Sequence, residues 1–353
     1  MKKFIALLYV GLLGMLTSCE TILPVDMPEG EDWGITLNAV ASPDTTFYAY
    51  VTHCYPNSEA PDYAYKNPSY EDYWEPNPFL DYYYSMLFKH NGTIPFNNET
   101  GYNLIKESVL TDAKVELTVN GETSYPMIYD TLMLCYQSNY TPAIGDRLEV
   151  RINNAASGEK TVAHTEVPQS QKLEILEINK EILEKEEYIR EPWLSYNRGY
   201  ARIKLRLHDP VEEKNYYRLA VRGSFQYIES VKVWDTYLST DPIFRDERLT
   251  STWGTWPAFF SNVFDDSLIN GKSYEFDIKT YILGNFHNNW PIYEVSLQSI
   301  TEDYYHYLKS VELYRISRTN TYSEGIYIHS NNEGGWGMLG AISGEVHRIE
   351  PFE

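Results

Sequence analysis

The sequence predicts an all-β fold, in which an antiparallel sandwich is followed by a second β-rich domain, sandwich or barrel-like, that carries one helix. Apolar and polar residues alternate in short segments such as 113–119 and 201–208, and this period of two is typical of strands with one buried face. Asn120 and Gly121 follow the first segment and favour a tight β-hairpin. Only residues 300–315 have clear helical spacing.

The N-terminus predicts a lipoprotein signal peptide over residues 1–18. Lys2 and Lys3 precede an apolar run, residues 4–16. This run is shorter than the ~20 apolar residues that a membrane-spanning helix needs, so it fits a secretory signal.

The signal ends in Leu16-Thr-Ser-Cys19, which resembles a bacterial lipobox. The small residues let the peptidase approach the backbone, and the thiol of Cys19 would accept a diacylglyceryl chain. The alternative is a plain signal peptide that ends near a cysteine. The mature chain is therefore expected to begin at Cys19 and to lie on a membrane by its lipid. Residues 19–33 are acidic, contain two prolines and predict a tether.

The net charge of the chain limits the classes of partner that it is expected to bind. The formal net charge is −21, and removal of Lys2 and Lys3 makes the mature chain more negative still. An acidic protein of this kind is not expected to bind nucleic acid or anionic lipid. The 32 tyrosines are compatible with a recognition surface and equally with ordinary strand formation.

Residues 34–168 are predicted to form the first, antiparallel sandwich. Strands are expected at 113–119, 147–152 and 160–167, and Pro168 closes the unit. Short alternating strands separated by turn signals are typical of antiparallel sandwiches.

A long aromatic loop is predicted inside this domain at residues 55–84. The segment that starts at Cys54 contains five prolines, which makes a continuous strand unlikely to form. Long irregular loops in compact domains are often functional. The rings either pack on the sandwich or bind a ligand; the ligand-binding candidates are Tyr63, Tyr65, Tyr70, Tyr73, Trp74, Tyr82, Tyr83 and Tyr84.

Two cysteines remain after the lipid-bearing one, Cys54 and Cys135. In an oxidising compartment such a pair is a candidate disulfide. Two buried free thiols are the alternative, because nothing in the sequence brings the two residues together.

Residues 169–353 are predicted to form the second β-rich domain. Residues 169–200 are interpreted as the junction, a strand followed by a charged helix or loop. The strand at 201–208 is expected to pair with residues 216–222 as a hairpin.

One face of the first of these strands carries Arg202, Lys204 and Arg206, a strip that Arg218 and Arg222 would extend across the hairpin. The strip either lies in solvent opposite carboxylates from a neighbouring strand or docks an anionic partner.

The helix is predicted over residues 300–315. Ser299 and Glu302 have the spacing of a capping box, and apolar residues recur behind them at helical spacing.

The glycines of Gly335-Trp-Gly-Met-Leu-Gly340 have the spacing of the dinucleotide-binding fingerprint. That fingerprint needs a helix, a second strand and an acidic residue about 20 positions further on. Only 13 residues follow Gly340, so a structural role in a β segment is predicted and no cofactor is expected.

The sequence contains no recognisable catalytic or metal-binding motif. Adjacent acids such as Asp265 and Asp266 are expected by chance among 50 acidic residues, and no G-x-S-x-G elbow occurs. The eight histidines are scattered singly, without the spacing of a zinc site. We therefore expect neither an enzyme nor a metal site.

Several weak motifs recur in a specific order behind the lipobox. They lie at residues 111–118, 142–150, 166–168, 207–210, 215–219, 241–244, 264–266, 270–271, 304–308 and 339–343. In this order they resemble a Bacteroidota lipoprotein family known as a domain of unknown function, the four-two-four-nine family.

The resemblance spans nearly the whole mature chain. It implies an immunoglobulin-like first domain, a β-rich second domain and an outer-membrane lipoprotein whose gene often neighbours a TonB-dependent transporter. It supplies no catalytic residues. The aromatic loop is outside the family pattern.

These observations predict a surface lipoprotein without catalytic activity that captures a nutrient or docks on a TonB-dependent transporter. The ligand would be a glycan, a peptide or a small nutrient. The alternative is a structural or adhesive surface protein that contacts other proteins or glycans.

Overall fold

The computed structural model describes residues 34–53, 108–131, 133–187, 195–211, 213–224, 237–248, 261–283, 292–317 and 326–349. Within these ranges the chain forms sixteen strands, two 3-10 helices (Pro242–Phe244 and Asp266–Leu268) and one α-helix, α1 (Glu302–Ser317). The predicted all-β class with a single helix is confirmed.

The strands follow one another along the chain with short connections in most places. They are β1 (Ile35–Ala41), β2 (Tyr48–His53), β3 (Lys114–Val119), β4 (Thr123–Asp130), β5 (Cys135–Gln137), β6 (Arg147–Asn153), β7 (Lys160–Glu166), β8 (Leu173–Glu187), β9 (Ser195–His208), β10 (Tyr216–Ser224), β11 (Tyr237–Leu238), β12 (Val263–Asp265), β13 (Ser273–Leu283), β14 (Ile292–Ile300), β15 (Gly335–Ser343) and β16 (Val346–Ile349).

The predicted hairpins of the first region are present. Asn120 and Gly121 have φ values of 54° and 71°, the left-handed conformation that a tight hairpin turn requires, and they join β3 to β4. β3 also pairs with β6, which pairs with β7. Alternate residues such as Leu117 and Val150 are fully buried, as the period of two predicts.

The described strands form two open sheets. The larger has twelve strands in the order β12-β10-β14-β15-β1-β2-β5-β4-β3-β6-β7, with β16 beside β14. The smaller has four strands in the order β11-β13-β9-β8.

Strands that are far apart in the sequence meet in the larger sheet, because β1 pairs in parallel with β15. Leu339 and Ala341 of β15 complete the first hydrophobic core, which contains Leu37 and Leu117. The predicted N-terminal sandwich thus shares a strand with the region after residue 169. All described residues belong to one compact unit, Gly34–Glu353.

The glycine-rich segment forms β15, between β1 and β14. A Cβ at Gly335 would overlap the Oγ1 of Thr161, and a Cβ at Gly337 would overlap the carbonyl oxygen of Leu37. The glycines are therefore required by close packing within a strand, which is a structural cause for the dinucleotide-like spacing.

The second core lies between the two sheets. Ile203 of β9 and Ile278 of β13 pack in one cluster with Leu219 of β10 and Leu297 of β14. The predicted hairpin between 201–208 and 216–222 is wrong. β9 pairs with β8 and β13, whereas β10 pairs with β12 and β14.

The charged part of 169–200 was expected as a helix or loop, and this expectation is wrong where the chain is described. β8 continues to Glu187 because it pairs with β9 along its whole length. In the register of β8 with β9, Glu174 lies opposite Arg206 and Glu177 opposite Lys204, and opposite charges across strands stabilise a sheet.

Helix α1 begins two residues later than predicted and packs on the other face of the larger sheet. Tyr304 and Leu308 form a third core with Tyr216 and Ile300. The predicted capping box is wrong, because Ser299 belongs to β14 opposite Ser343. The Oγ of Ser299 has no hydrogen-bond partner among the described residues.

Candidate functional site

The candidate site is on the sheet face that carries α1, where β10 and β14 continue beyond the helix. The register sets Arg218 opposite Gln298 and Ala220 opposite Ser296. These residues alternate with apolar ones that point into the second core. Each strand therefore has one apolar face and one polar face at this point.

A groove with a volume of about 630 Å³ lies over this polar face. Its walls come from the segment after β1 and from the connection between β15 and β16. The described lining residues are Ser42, Asp44, Ala220, Glu294, Ser296, Gln298, Ile342, Ser343, Gly344, Glu345 and Val346.

The floor of the groove consists of polar side chains that are almost wholly buried. Gln298 is 7% exposed and Ser296 is 8% exposed. The Nη1 of Arg218 donates to the Oε1 of Gln298 over 3.1 Å. A guanidinium can only donate, so it fixes the orientation of the amide. The Nε2 of Gln298 is then left as a donor, and neither Nε2 nor the Oγ of Ser296 is hydrogen-bonded to any other described residue.

The rim of the groove is acidic. Asp44 and Glu345 are exposed, and Asp44 is held by Ser42, whose Oγ donates to its Oδ2 over 3.4 Å. Glu294 lies opposite Arg222 on one side and Arg348 on the other. No lysine or arginine occurs among the described lining residues, so the field at the rim favours a cation.

The predicted cationic strip lies elsewhere, on β9 in the smaller sheet. Arg202 Nη2 is 3.0 Å from Asp277 Oδ2, and Lys204 Nζ is 2.7 Å from Glu275 Oε2.

Arg206 is paired on both sides. It contacts Glu275 on β13 and Glu174 on β8, the latter at 3.2 Å from Nη1 to Oε2. The hydrogen bond that Lys172 donates over 2.6 Å, together with the nearby His208 imidazole, lowers the pKa of Glu174 to about 2. The strip has the carboxylate pairing that sequence analysis offered as one alternative, and docking of an anionic partner on Arg202, Lys204 and Arg206 stays a prediction.

Arg218 does not extend this strip. It lies in the other sheet and is 3% exposed. The error follows from the wrong hairpin, because β9 and β10 belong to different sheets. Arg222, on the same strand, cannot extend the strip either.

A second polar cluster fastens α1 to the segment after the first 3-10 helix. Lys309 Nζ is 3.2 Å from Asp246 Oδ2 and donates to Ser261 Oγ over 2.8 Å. Burial lowers the pKa of the Lys309 ammonium. Burial opposes ionisation of Asp246 as well, but the pKa of this carboxyl is lowered because Arg248 and Lys309 stabilise its charge. These charges satisfy one another, so the cluster fits a structural role.

Several predicted site residues lie outside the described residues. They are Cys19, Cys54 and the aromatic candidates Tyr63, Tyr65, Tyr70, Tyr73, Trp74, Tyr82, Tyr83 and Tyr84. Cys135 is described and is a buried free cysteine, and burial raises the pKa of its thiol to about 12.

Sequence reasoning missed the groove, although part of its signal was visible. Glu294, Ser296 and Gln298 alternate with apolar residues, which marks a polar face on a strand. The walls could not be found in this way, because Asp44 and Glu345 are about 300 positions apart in the chain. Only the parallel pairing of β1 with β15 brings them to one place.

Two other kinds of feature are absent from the described part of the chain. No group of three or more histidine, cysteine, aspartate or glutamate residues is arranged to hold a metal ion there. None of the described helices is long and apolar enough to cross a membrane.

Comparison with known proteins identifies one family. The family model described as "Domain of unknown function (DUF4249)" matches residues 89–348. No curated protein and no solved structure matches the chain significantly.

Proposed function

We propose that this chain, which belongs to the DUF4249 family, is a surface-anchored lipoprotein of the outer membrane without catalytic activity. The description of the family leaves the activity open. The protein captures a nutrient or is an accessory partner of a TonB-dependent transporter. Its membership of the family carries no residue roles, so the proposal rests on the residues of this chain.

The groove is the observation that carries the capture function. Its volume of about 630 Å³ lies within the ~300–1,000 Å³ of small-molecule sites. Ser296 and Gln298 offer unused hydrogen-bonding groups on its floor. Buried polar groups are normally satisfied, so unused groups that line an open groove are ready for a ligand.

Anchoring is supported by the lipobox-like residues that end at Cys19. Strand β1 begins at Ile35, directly after the acidic segment 19–33. The folded unit would thus follow its lipid after a tether of 15 residues, which spans at most about 50 Å.

Metabolic labelling with an alkyne-bearing fatty acid tests the anchor. The wild-type protein should be labelled and sedimented with the outer membrane, and Cys19→Ala should abolish the label. Cys54→Ser is the matched control and should keep it. A label that persists in Cys19→Ala would rule out anchoring at this residue.

Crosslinking on intact cells tests the transporter partnership. We expect the wild-type protein to be recovered with an outer-membrane barrel protein. Recovery of the wild-type protein alone, under conditions in which it is labelled and surface-exposed, would contradict the partnership.

A second candidate function is adhesion. Tyr327 and Trp336 are 69% and 46% exposed, with ring centroids 6.4 Å apart. Exposed aromatic side chains are enriched in protein recognition surfaces. If adhesion is the function, Tyr327→Ser with Trp336→Ser should reduce cell attachment and leave ligand capture unchanged; unaltered attachment would contradict it.

A further inference from the structure

We propose that the groove binds a small ligand that carries both a primary ammonium group and a hydrogen-bond acceptor, as an amino sugar or a lysine-containing peptide does. This inference rests on the proposed capture function and specifies its class of ligand.

The charge distribution of the groove explains why its ligand should carry an ammonium group. Asp44 and Glu345 stand on the rim, while Glu294 lies opposite two arginines in register. Neither rim carboxylate has an ion pair among the described residues. They belong to a chain of net charge −21, so the surrounding field also attracts cations.

The floor of the groove explains why the ligand should also carry a hydrogen-bond acceptor. Arg218 occupies the oxygen of the Gln298 amide, so the amide presents its Nε2 donor. An ammonium group has three donors and no acceptor, and it cannot bond to Nε2. A ligand that uses both the rim and the floor must therefore carry a carbonyl or hydroxyl oxygen that reaches the floor while its ammonium group lies at the rim. The Oγ of Ser296 can donate to the same oxygen or accept from the ligand.

Burial strengthens the hydrogen bonds that a ligand would form with the floor. Gln298 and Ser296 are more than nine-tenths buried, so water competes poorly for them, and a hydrogen bond in such a place is stronger than at an open surface. The exposed acids supply attraction and the buried floor supplies discrimination between ligands.

Isothermal titration calorimetry of the full-length lipoprotein in neutral detergent tests the inference with four probes. Two carry the ammonium group: glucosamine and an N-terminally acetylated Gly-Lys-Gly peptide. Two are their counterparts with that nitrogen acetylated, which removes the charge and leaves the nearby oxygens. The sugar and peptide arms distinguish the two sources of the same chemistry.

We expect at least one ammonium probe to bind about tenfold more tightly than its acetylated counterpart, since hydrogen bonds to charged groups have that magnitude. Asp44→Asn and Glu345→Gln should each weaken that probe several-fold and leave its acetylated counterpart unchanged. Ser296→Ala should weaken both. Glu122→Gln removes an exposed acid at the distant β3–β4 turn and is the matched control, with no change expected.

The outcomes separate this inference from the capture function. Equal affinity for ammonium and acetylated probes, with a loss in Ser296→Ala, overturns the ammonium class and keeps the groove as a capture site. Binding that only Glu122→Gln weakens overturns the location. Absence of binding by all four probes overturns the inference, and fatty-acid labelling then decides independently whether the anchored lipoprotein stands.

Discussion

Gly337→Ala tests the structural explanation of the glycine-rich segment. Gly337 has a φ of +94°, and a Cβ there would overlap the backbone oxygen of Leu37 and lie 2.9 Å from Asn38 Oδ1. Gly121→Ala is the matched control. It has a φ of +71° and nothing within 4 Å of the added Cβ, so it isolates the backbone contribution.

The expected loss of stability has two contributions, one from the backbone conformation and one from the steric overlap. A positive φ costs a non-glycine residue about 1–2 kcal/mol, and this term is common to both variants. The overlap at Leu37 adds about 1–3 kcal/mol, the usual cost of overpacking, because a strand paired on both sides cannot move away. We therefore expect Gly337→Ala to lower the free energy of unfolding by about 2–5 kcal/mol and Gly121→Ala by about 1–2 kcal/mol.

Urea denaturation followed by circular dichroism measures both losses, provided that the slope with denaturant is unchanged. A loss in Gly337→Ala no larger than that in Gly121→Ala would refute the close packing of β15 on β1. Gly335-x-Gly337 would then need another explanation.

Three further predictions concern buried charges and a buried thiol. Asp246→Ala leaves the Lys309 ammonium buried beside Arg248, so the free energy of unfolding should fall by about 3–5 kcal/mol, whereas the exposed Glu247→Ala should cost less than about 0.5 kcal/mol; equal losses in urea denaturation would contradict the cluster. Because the folded-state pKa of Asp246 is lowered, its stabilisation is present above the unfolded-state pKa of about 4 and is lost as the pH falls toward the folded value. The urea midpoint of the wild-type protein should therefore fall more between pH 7 and pH 3 than that of Asp246→Asn, and parallel changes would count against the assignment. In Cys54→Ser, the thiol of Cys135, with its pKa raised to about 12 by burial, should react with a thiol reagent only after unfolding; rapid labelling of the native protein would show that the thiol is accessible.

Local patterns in the sequence were sufficient for much of the fold. The alternation in 113–119 and the Asn120-Gly121 turn predicted the β3–β4 hairpin, because both signals act between neighbouring residues. Helix α1 was found in the same way from its apolar spacing.

Strand partners could not be predicted with the same success. Residues 201–208 and 216–222 are adjacent in sequence and both alternate, yet they belong to different sheets. Their choice of partner depends on long-range packing, since Leu205 and Leu219 enter the same second core from different sheets. No local signal distinguishes that arrangement from a hairpin.

The same limitation applies to the groove. Its floor is an alternating polar strand face, β14, that the sequence displays. Its acidic rim depends on the parallel pairing of β1 with β15, which no residue pattern in either strand predicts. The sequence showed that the cationic side chains share one strand face. It did not show their partners, because Glu275 and Glu174 come from strands about 30 to 70 positions away.

Retention of a fluorescent ammonium probe by intact cells tests the central claim most directly, namely that this is an anchored protein that captures ligand in the groove of Ser296 and Gln298. The probe is whichever amine binds more tightly in calorimetry. Cells with the wild-type protein or with Glu122→Gln should retain the probe, and cells with Asp44→Asn and Glu345→Gln together should lose most of it at equal surface levels of protein. Equal retention by the groove variant and the wild type would contradict the claim.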